Sequence, residues 1–289
     1  MASKKELETE IQYLNTFRNI METYEEIAAS RMQKIRGSVL KSRDFVLEIN
    51  SIFQHVKYSY KKQVEKLMKS KKVKDQSKLS FIKRNGKKLY VLISANTGLY
   101  GEVIRKAYDA FVAQYRKQKA DVAIIGKLGS QRFKQDFPKD PYYYFDFLDT
   151  KIDEENLKKT ILFLIEYQEI IVFYEQFVNV LMQEPIATNI SGDQIAWEQT
   201  GIEIKYFFEP NLEKVLGFFE KEILASIFEQ TLYESELAKF ASRMISLDSA
   251  AENTKTKLKQ MIFQLGKTKH RTMDKKQAES LTGLFLLKR

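Results

Sequence analysis

Apolar side chains recur along the first stretch of the chain at Leu7, Ile11, Leu14, Phe17, Met21, Tyr24, Ala28, Met32, Ile35, Val39, Val46, Ile49, Phe53, Val56, Tyr60, Val64 and Leu67, with a lapse at Ser42. The mean step is roughly 3.5 residues, the period that keeps one helix face turned to a partner helix and winds the pair left-handedly. No proline interrupts the run, and only Gly37 weakens it. At 1.5 Å per residue such a helix is on the order of 90 Å long. A stripe of that length needs a second helix to cover it. The far end of the chain supplies one. From Leu212 the pattern is helical again, and Leu237, Phe240, Met244, Leu247, Ala251, Thr254, Leu258, Met261 and Leu265 step by three and four. Gly266 marks an interruption, followed by the basic KTKHR and a last apolar stretch, Leu281 to Leu287. The two ends are therefore predicted to form an antiparallel coiled coil, with Ala28 and Ala251 at places of close approach.

The middle has a different period. Leu89 to Ser94 reads as a buried strand, followed by a tight turn and a helix of about twenty residues. Asp121 to Ile125 repeats the strand–turn–helix unit, DPYYYFDFL supplies a third strand, and Glu154 to Tyr167 an amphipathic helix. EIIVFYEQFVNVLMQEPIATNI reads as two antiparallel strands meeting near Phe177, and GIEIKYFFEP ends the sheet. Strand–helix–strand order implies a mostly parallel sheet. The fold class is thus α/β plus a long antiparallel coiled coil: residues 1–75 a first shaft helix, 76–210 a small Rossmann-like α/β domain, 211–289 a second shaft helix. The Lys-rich stretch Lys61 to Lys78 is a solvated connection between helix and sheet.

Composition narrows the chemistry. Four prolines and 11 glycines in 289 residues suit long helices, and 44% hydrophobic content is enough for a core. The absence of cysteine excludes disulfides, thiolate zinc sites and cysteine nucleophiles. The start of the chain lacks the apolar core of a signal peptide. No 18 apolar residues run together, the nearest stretch, Ile161 to Met182, being broken by Glu166, Gln168, Glu169, Glu175 and Gln176. A net charge of +10 calls for an acidic partner: nucleic acid, an anionic membrane surface or an acidic protein cavity.

Enzymatic motifs fail one by one. SANTGLYGE follows a strand and carries Gly98 and Gly101, but it lacks both the phosphate-loop spacing and its Lys-Ser/Thr, and it is not the three-glycine dinucleotide fingerprint. GKLGS at Gly126 fits no better. Tight βα turns explain these glycines. The two histidines, His55 and His270, have no companions at metal-ligand spacing. Asp153, Glu154 and Glu155 sit at a helix start, where negative charge complements the dipole. Tyr142 to Phe145 cannot all stack bases, because alternate residues of a strand face opposite sides.

Five segments in order carry a resemblance. IQYLNTFRNIMETYEEIAASRMQKIRG resembles the N-terminal helix of the γ subunits of F-type ATP synthases, with its Ala-Ala-Ser run. SELAKFASRMISLDSAAENTKTKLKQM resembles their C-terminal helix. ISANTGLYGE, IIGKLGSQRF and YFFEPN match three stretches of the intervening domain. The order and spacing hold along essentially the whole chain.

The resemblance implies a non-catalytic central shaft inside a hexameric ring of alternating catalytic and non-catalytic ATPase subunits, with the α/β domain as its foot. It also implies a small central-stalk companion, a membrane rotor ring, and a location at the inner face of the cell membrane. Nucleotide and Mg²⁺ would be bound by ring subunits; the chain would hold no cofactor, no metal and no nucleic acid. Carried over by position, Ile27, Ala28, Ala29, Ser30, Arg31, Arg243, Met244, Asn253, Lys267, Lys269, His270 and Arg271 would meet ring subunits. Tyr206, Phe208 and Glu209 would lie in the foot near the membrane ring. Ala28 and Met244 belong to the stripe and so to packing; Arg31 and Arg243 lie off it. Departures concentrate at Tyr24, Ala95, Tyr100, Glu102 and the tail from Lys269, His270, Met273 and Asp274 to LTGLFLLKR. They leave two motors open, an ATP synthase and a paralogue turning in another ATPase-like ring for motility. Outside that class stands a basic coiled-coil adaptor or nucleic-acid-binding protein.

Overall fold

A computed structural model describes residues 3–59, 82–149, 152–191, 209 and 211–286. Helix α1 runs Lys4–Ser59. Then follow β1 Lys88–Ile93, α2 Val103–Lys117, β2 Asp121–Ile125, α3 Lys127–Asp136, β3 Tyr143–Phe145, α4 Glu154–Leu164, β4 Glu169–Phe177 and β5 Gln183–Asn189. Helix α5 spans Leu212–Leu286. The chain divides into two compact units, residues 30–242 and residues 1–29 with 243–289.

In the 30–242 unit the strand order is β3-β2-β1-β4-β5. All neighbours are parallel except β4 and β5. This is the mostly parallel sheet that the strand–helix order predicts. Leu89, Val91 and Ile93 point to one face with Ile170, Val172, Leu157, Leu164, Leu224 and Phe228. Tyr90 and Leu92 point to the other, with Val122, Ile124, Phe111, Tyr115 and Phe133. The alternation of β1 thus feeds two cores, one under α4 and α5, the other under α2 and α3. Asp153 caps α4, its Oδ2 accepting from the Asn156 amide at 3.3 Å. Gly126 turns β2 into α3 at φ +93°, and a Cβ there would meet the Ala95 amide nitrogen at 2.7 Å. A glycine is required at that point.

Within this unit α1 and α5 run antiparallel. Arg43 Nη2 meets Glu234 Oε1 at 2.8 Å, and the Phe53 and Phe219 rings lie 5.9 Å apart. In the other unit Met21 packs on Leu247 and Ala251, and Lys269 Nζ approaches Glu8 Oε1 at 3.7 Å. The direction is antiparallel there too.

Two expectations are corrected. Gly266 does not interrupt α5, which continues to Leu286; one glycine destabilises a helix interior by only about 1 kcal/mol, and the residues around it favour helix. The α1 stripe also has a different membership. Arg18 and Glu25 are half-buried, whereas Phe17 and Tyr24 are 46% and 49% exposed. Steps of four and three then alternate strictly through Leu7, Ile11, Leu14, Arg18, Met21, Glu25 and Ala28. Keeping the 3.5 period outweighs the preference for an apolar side chain at two positions. Tyr60, Val64, Leu67, the Lys61–Lys78 connection and, except for Glu209, the strand read at GIEIKYFFEP lie outside the described residues.

Candidate functional site

Strand order reverses between β1 and β4, and the carboxyl ends beside such a reversal are where open α/β sheets bind ligands. Here the loop after β1 is already occupied by the chain itself. The Asn96 amide donates to Asp149 Oδ1 at 2.9 Å and the Thr97 amide to Oδ2 at 2.8 Å. Thr97 Oγ1 donates to the same Oδ2 at 2.7 Å. Two successive amides and a hydroxyl form a small anion nest, and the anion is an internal carboxylate. Asn96 is itself fixed, accepting from the Lys127 amide at 2.8 Å and donating to the Phe147 carbonyl at 2.7 Å. The arrangement holds a loop; it presents no nucleophile with a base.

A crevice of about 360 Å³ opens nearby in the same unit, lined by Arg31, Lys34 and Ser38 from α1 and by Glu229, Tyr233 and Glu236 from α5, among others. Burial raises the Glu236 carboxyl to about 7, against the opposing pull of Lys239 and Arg31, with Asp149 adding to the rise. Among the described residues no group of three His, Asp or Glu side chains has the geometry to hold a metal. No described helix is long and apolar enough to cross a membrane.

The first helix carries a second apolar row that faces outward. Tyr13, Phe17, Ile20, Tyr24 and Ile27 are 72, 46, 43, 49 and 50% exposed. Their steps alternate four and three, so they share one face of α1. Thr16, Asn19 and Thr23 line shallow apolar grooves beside Ile20, Tyr24 and Ile27. An aligned row of five large side chains differs from singly scattered surface hydrophobics and marks an interaction face.

Of the residues expected to meet a ring, Ile27 belongs to this row and Ala28 is fully buried beside it. Ala29, Arg243 and Met244 are half-buried, while Ser30, Arg31 and Asn253 are exposed. Lys267, Lys269, His270 and Arg271 are all exposed, with Lys267 Nζ 4.6 Å from the centre of the Phe263 ring. Ser30 and Arg31 fall in the 30–242 unit, the others in the helical-pair unit. Glu209 is exposed; Tyr206 and Phe208 lie outside the described residues. The expected list did not include Tyr13, Phe17, Ile20 and Tyr24. Their spacing is visible in the sequence, but Phe17 and Tyr24 also fit the period of the seam.

The sequence profile of the ATP synthase family matches residues 3–275. The chain belongs to that family. It is 24% identical to the ATP synthase gamma chain of Ruthia magnifica, with 98% of this chain and 99% of that one aligned. It is 26% identical to the gamma chain of Vesicomyosocius okutanii, over 98% of both. A central-stalk chain of the Tetrahymena thermophila mitochondrial ATP synthase shares the fold with TM-score 0.56, covering 80% of this chain and 99% of its own length at 17% identity. A chain of the Euglena gracilis mitochondrial ATP synthase does so with TM-score 0.52 at 12% identity, over 90% and 95%. Along nearly its whole length the chain is thus similar to the gamma-type subunits of that family.

Proposed function

We propose that this chain turns as the central shaft inside a hexameric ring of catalytic and non-catalytic ATPase subunits, coupling its rotation to nucleotide chemistry in that ring. The outward row Tyr13, Phe17, Ile20, Tyr24 and Ile27 carries the reading. A helix already paired on one face has no reason to present a second aligned apolar row unless another surface covers it. The coupling is thermodynamic: each shaft orientation favours a different conformation of each ring subunit, so angle and nucleotide affinity are linked. Nucleotide and Mg²⁺ are held by the ring. Residues 1–75 and 211–289 form the shaft and 76–210 the foot. The foot faces a small companion subunit and a membrane rotor ring at the inner face of the cell membrane, with Tyr206, Phe208 and Glu209 on that side. Ser30, Arg31, Arg243, Asn253, Lys267, Lys269, His270 and Arg271 add polar contacts to the ring.

The test is purification of the tagged chain from its source with an ATPase assay of the eluate, repeated with Phe17→Ser/Ile20→Ser/Tyr24→Ser and with Arg31→Glu/Arg243→Glu. Ring subunits and ATPase activity should accompany the native chain, and both variants should fold yet lower turnover of the assembled complex. Equal turnover in native and variant complexes sinks the ring-contact assignment, and a native eluate without ring subunits sinks the shaft reading. A second reading rests on the tail, where Lys269, His270, Met273, Asp274 and LTGLFLLKR depart from the family's pattern: a ring-driven motor with force as its output. Recovery of the ring without proton-translocating membrane subunits would select it.

A further inference from the structure

Helix α5 changes character where it passes the carboxyl edge of the sheet. Glu234 through Ser242 are buried without a break, polar residues included. Three of the polar ones, Ser235, Lys239 and Ser242, lie at steps of four and three on one face of the helix. Each makes one hydrogen bond to the sheet's carboxyl edge. Ser235 Oγ donates to Glu175 Oε2 at 2.8 Å, in β4. Lys239 Nζ donates to the Ser94 carbonyl at 3.0 Å, at the end of β1. Ser242 Oγ donates to the Tyr100 carbonyl at 2.9 Å, in the loop after β1. Beside them Glu234 Oε1 accepts from Arg43 Nε at 2.9 Å, tying α1 to the same stretch.

As a source of stability this set is poorly made. Glu175 Oε1 and Ser94 Oγ are buried without a hydrogen-bond partner. Lys239 is 6% exposed, with two buried carboxyls, Glu175 and Glu236, under its charge. Buried ion clusters of this kind are commonly no more stable than apolar residues of similar volume. What they supply is position. Interdigitating apolar ridges set the crossing angle, and donors aimed at fixed backbone carbonyls add a register and a direction to it.

We propose that Lys239, with Ser235 and Ser242, is the torque key of this chain, fixing the angle and height of α5 against the β1–β4 edge so that twist passes between helix and sheet without slip. The inference rests on the shaft reading. Lys239 is a positioning residue; it touches no nucleotide.

The test uses the complete native complex with its ring immobilised and a bead on the foot of the shaft. Angular fluctuation of the bead in a stalled ring reads torsional stiffness directly. Lys239→Met should lower that stiffness by about a third, because it removes the central one of three linked contacts. Ser235→Ala/Ser242→Ala leaves every buried charge in place and should lower it by a smaller factor, which keeps the idea testable if Lys239→Met fails to assemble. A lowered melting temperature with unchanged stiffness in the variants that assemble would overturn the key and leave only a packing role. Absence of ATP-driven rotation in the native complex would instead overturn the shaft reading beneath it.

Discussion

One helix, α5, obeys two rules. From Arg243 to Met261 only every third or fourth residue is buried, Leu247, Ala251, Thr254, Leu258 and Met261, and the rest face outward or lie half-buried. From Glu234 to Ser242 every residue is buried. The first stretch has one neighbour, and a 3.5-residue stripe is the imprint of one neighbour. The second is surrounded, and a helix buried all round keeps no such imprint. A periodic pattern therefore shows where a helix has a single partner. It is silent about the stretch where most of the packing lies.

Truncations on each side of that divide should break the symmetry most. Phe228 is fully buried in the core under α4 and α5, whereas Phe263 is 65% exposed on the same helix. Phe228→Ala is expected to destabilise the isolated chain by about 3–5 kcal/mol. Phe263→Ala should stay within about 0.5 kcal/mol. Urea midpoints at equal slope measure both; similar losses would mean that the outer stretch is packed more tightly than its exposure indicates.

Protonation sharpens the same contrast. Glu236 is in the surrounded stretch, and burial raises its carboxyl from 4.5 to about 7. Between those values the folded state binds the proton that the unfolded state has released. Stability contributed by this group is therefore greatest at low pH and falls as pH rises from about 4.5 to about 7, opposite to a salt-bridged carboxylate. The difference amounts to on the order of 3 kcal/mol. Glu236→Gln should flatten that part of the stability–pH curve, leaving the variant relatively more stable at pH 8 than at pH 4. An unchanged slope would mean that Glu236 ionises freely in the fold.

The same logic explains what could be read in advance. Strands β1 and β2 were legible because continuous apolar runs such as LYVLI and VAII fit a strand buried on both faces. The α5 seam was legible because each of its positions is apolar or small. The α1 seam is ambiguous at Phe17 and Tyr24 because two apolar rows share that helix, and hydrophobicity alone does not say which one its partner covers. Nor could Asp149 be found: it lies 53 residues from the Asn96 amide that it accepts from, and no local pattern links an anion nest to a carboxylate so far along the chain. Lys239 was hidden for the same reason, its acceptor Ser94 lying 145 residues away.

The smallest expected effect tests whether a seam with one neighbour tolerates what a surrounded helix does not. Glu25 occupies an α1 seam position, and its carboxyl is raised first by burial, then by Asp248 and by Glu22 and Glu26. The side chain is partly open to solvent, so these repulsions are screened. Glu25→Lys would exchange repulsion for attraction at one point of the helix pair. It is expected to raise stability at neutral pH by a few tenths to about 1 kcal/mol, and the gain should shrink in concentrated salt. Lowering the pH through the raised carboxyl range removes the native charge, so the variant should lose its advantage there. Thermal unfolding at pH 4 and pH 7, with and without salt, separates the alternatives. A variant less stable at pH 7 would mean that Glu25 fixes the register of the pair, as a single polar seam residue does in other coiled coils. The helix pair would then hold a polar key of its own, and the contrast with the surrounded stretch of α5 would be one of degree.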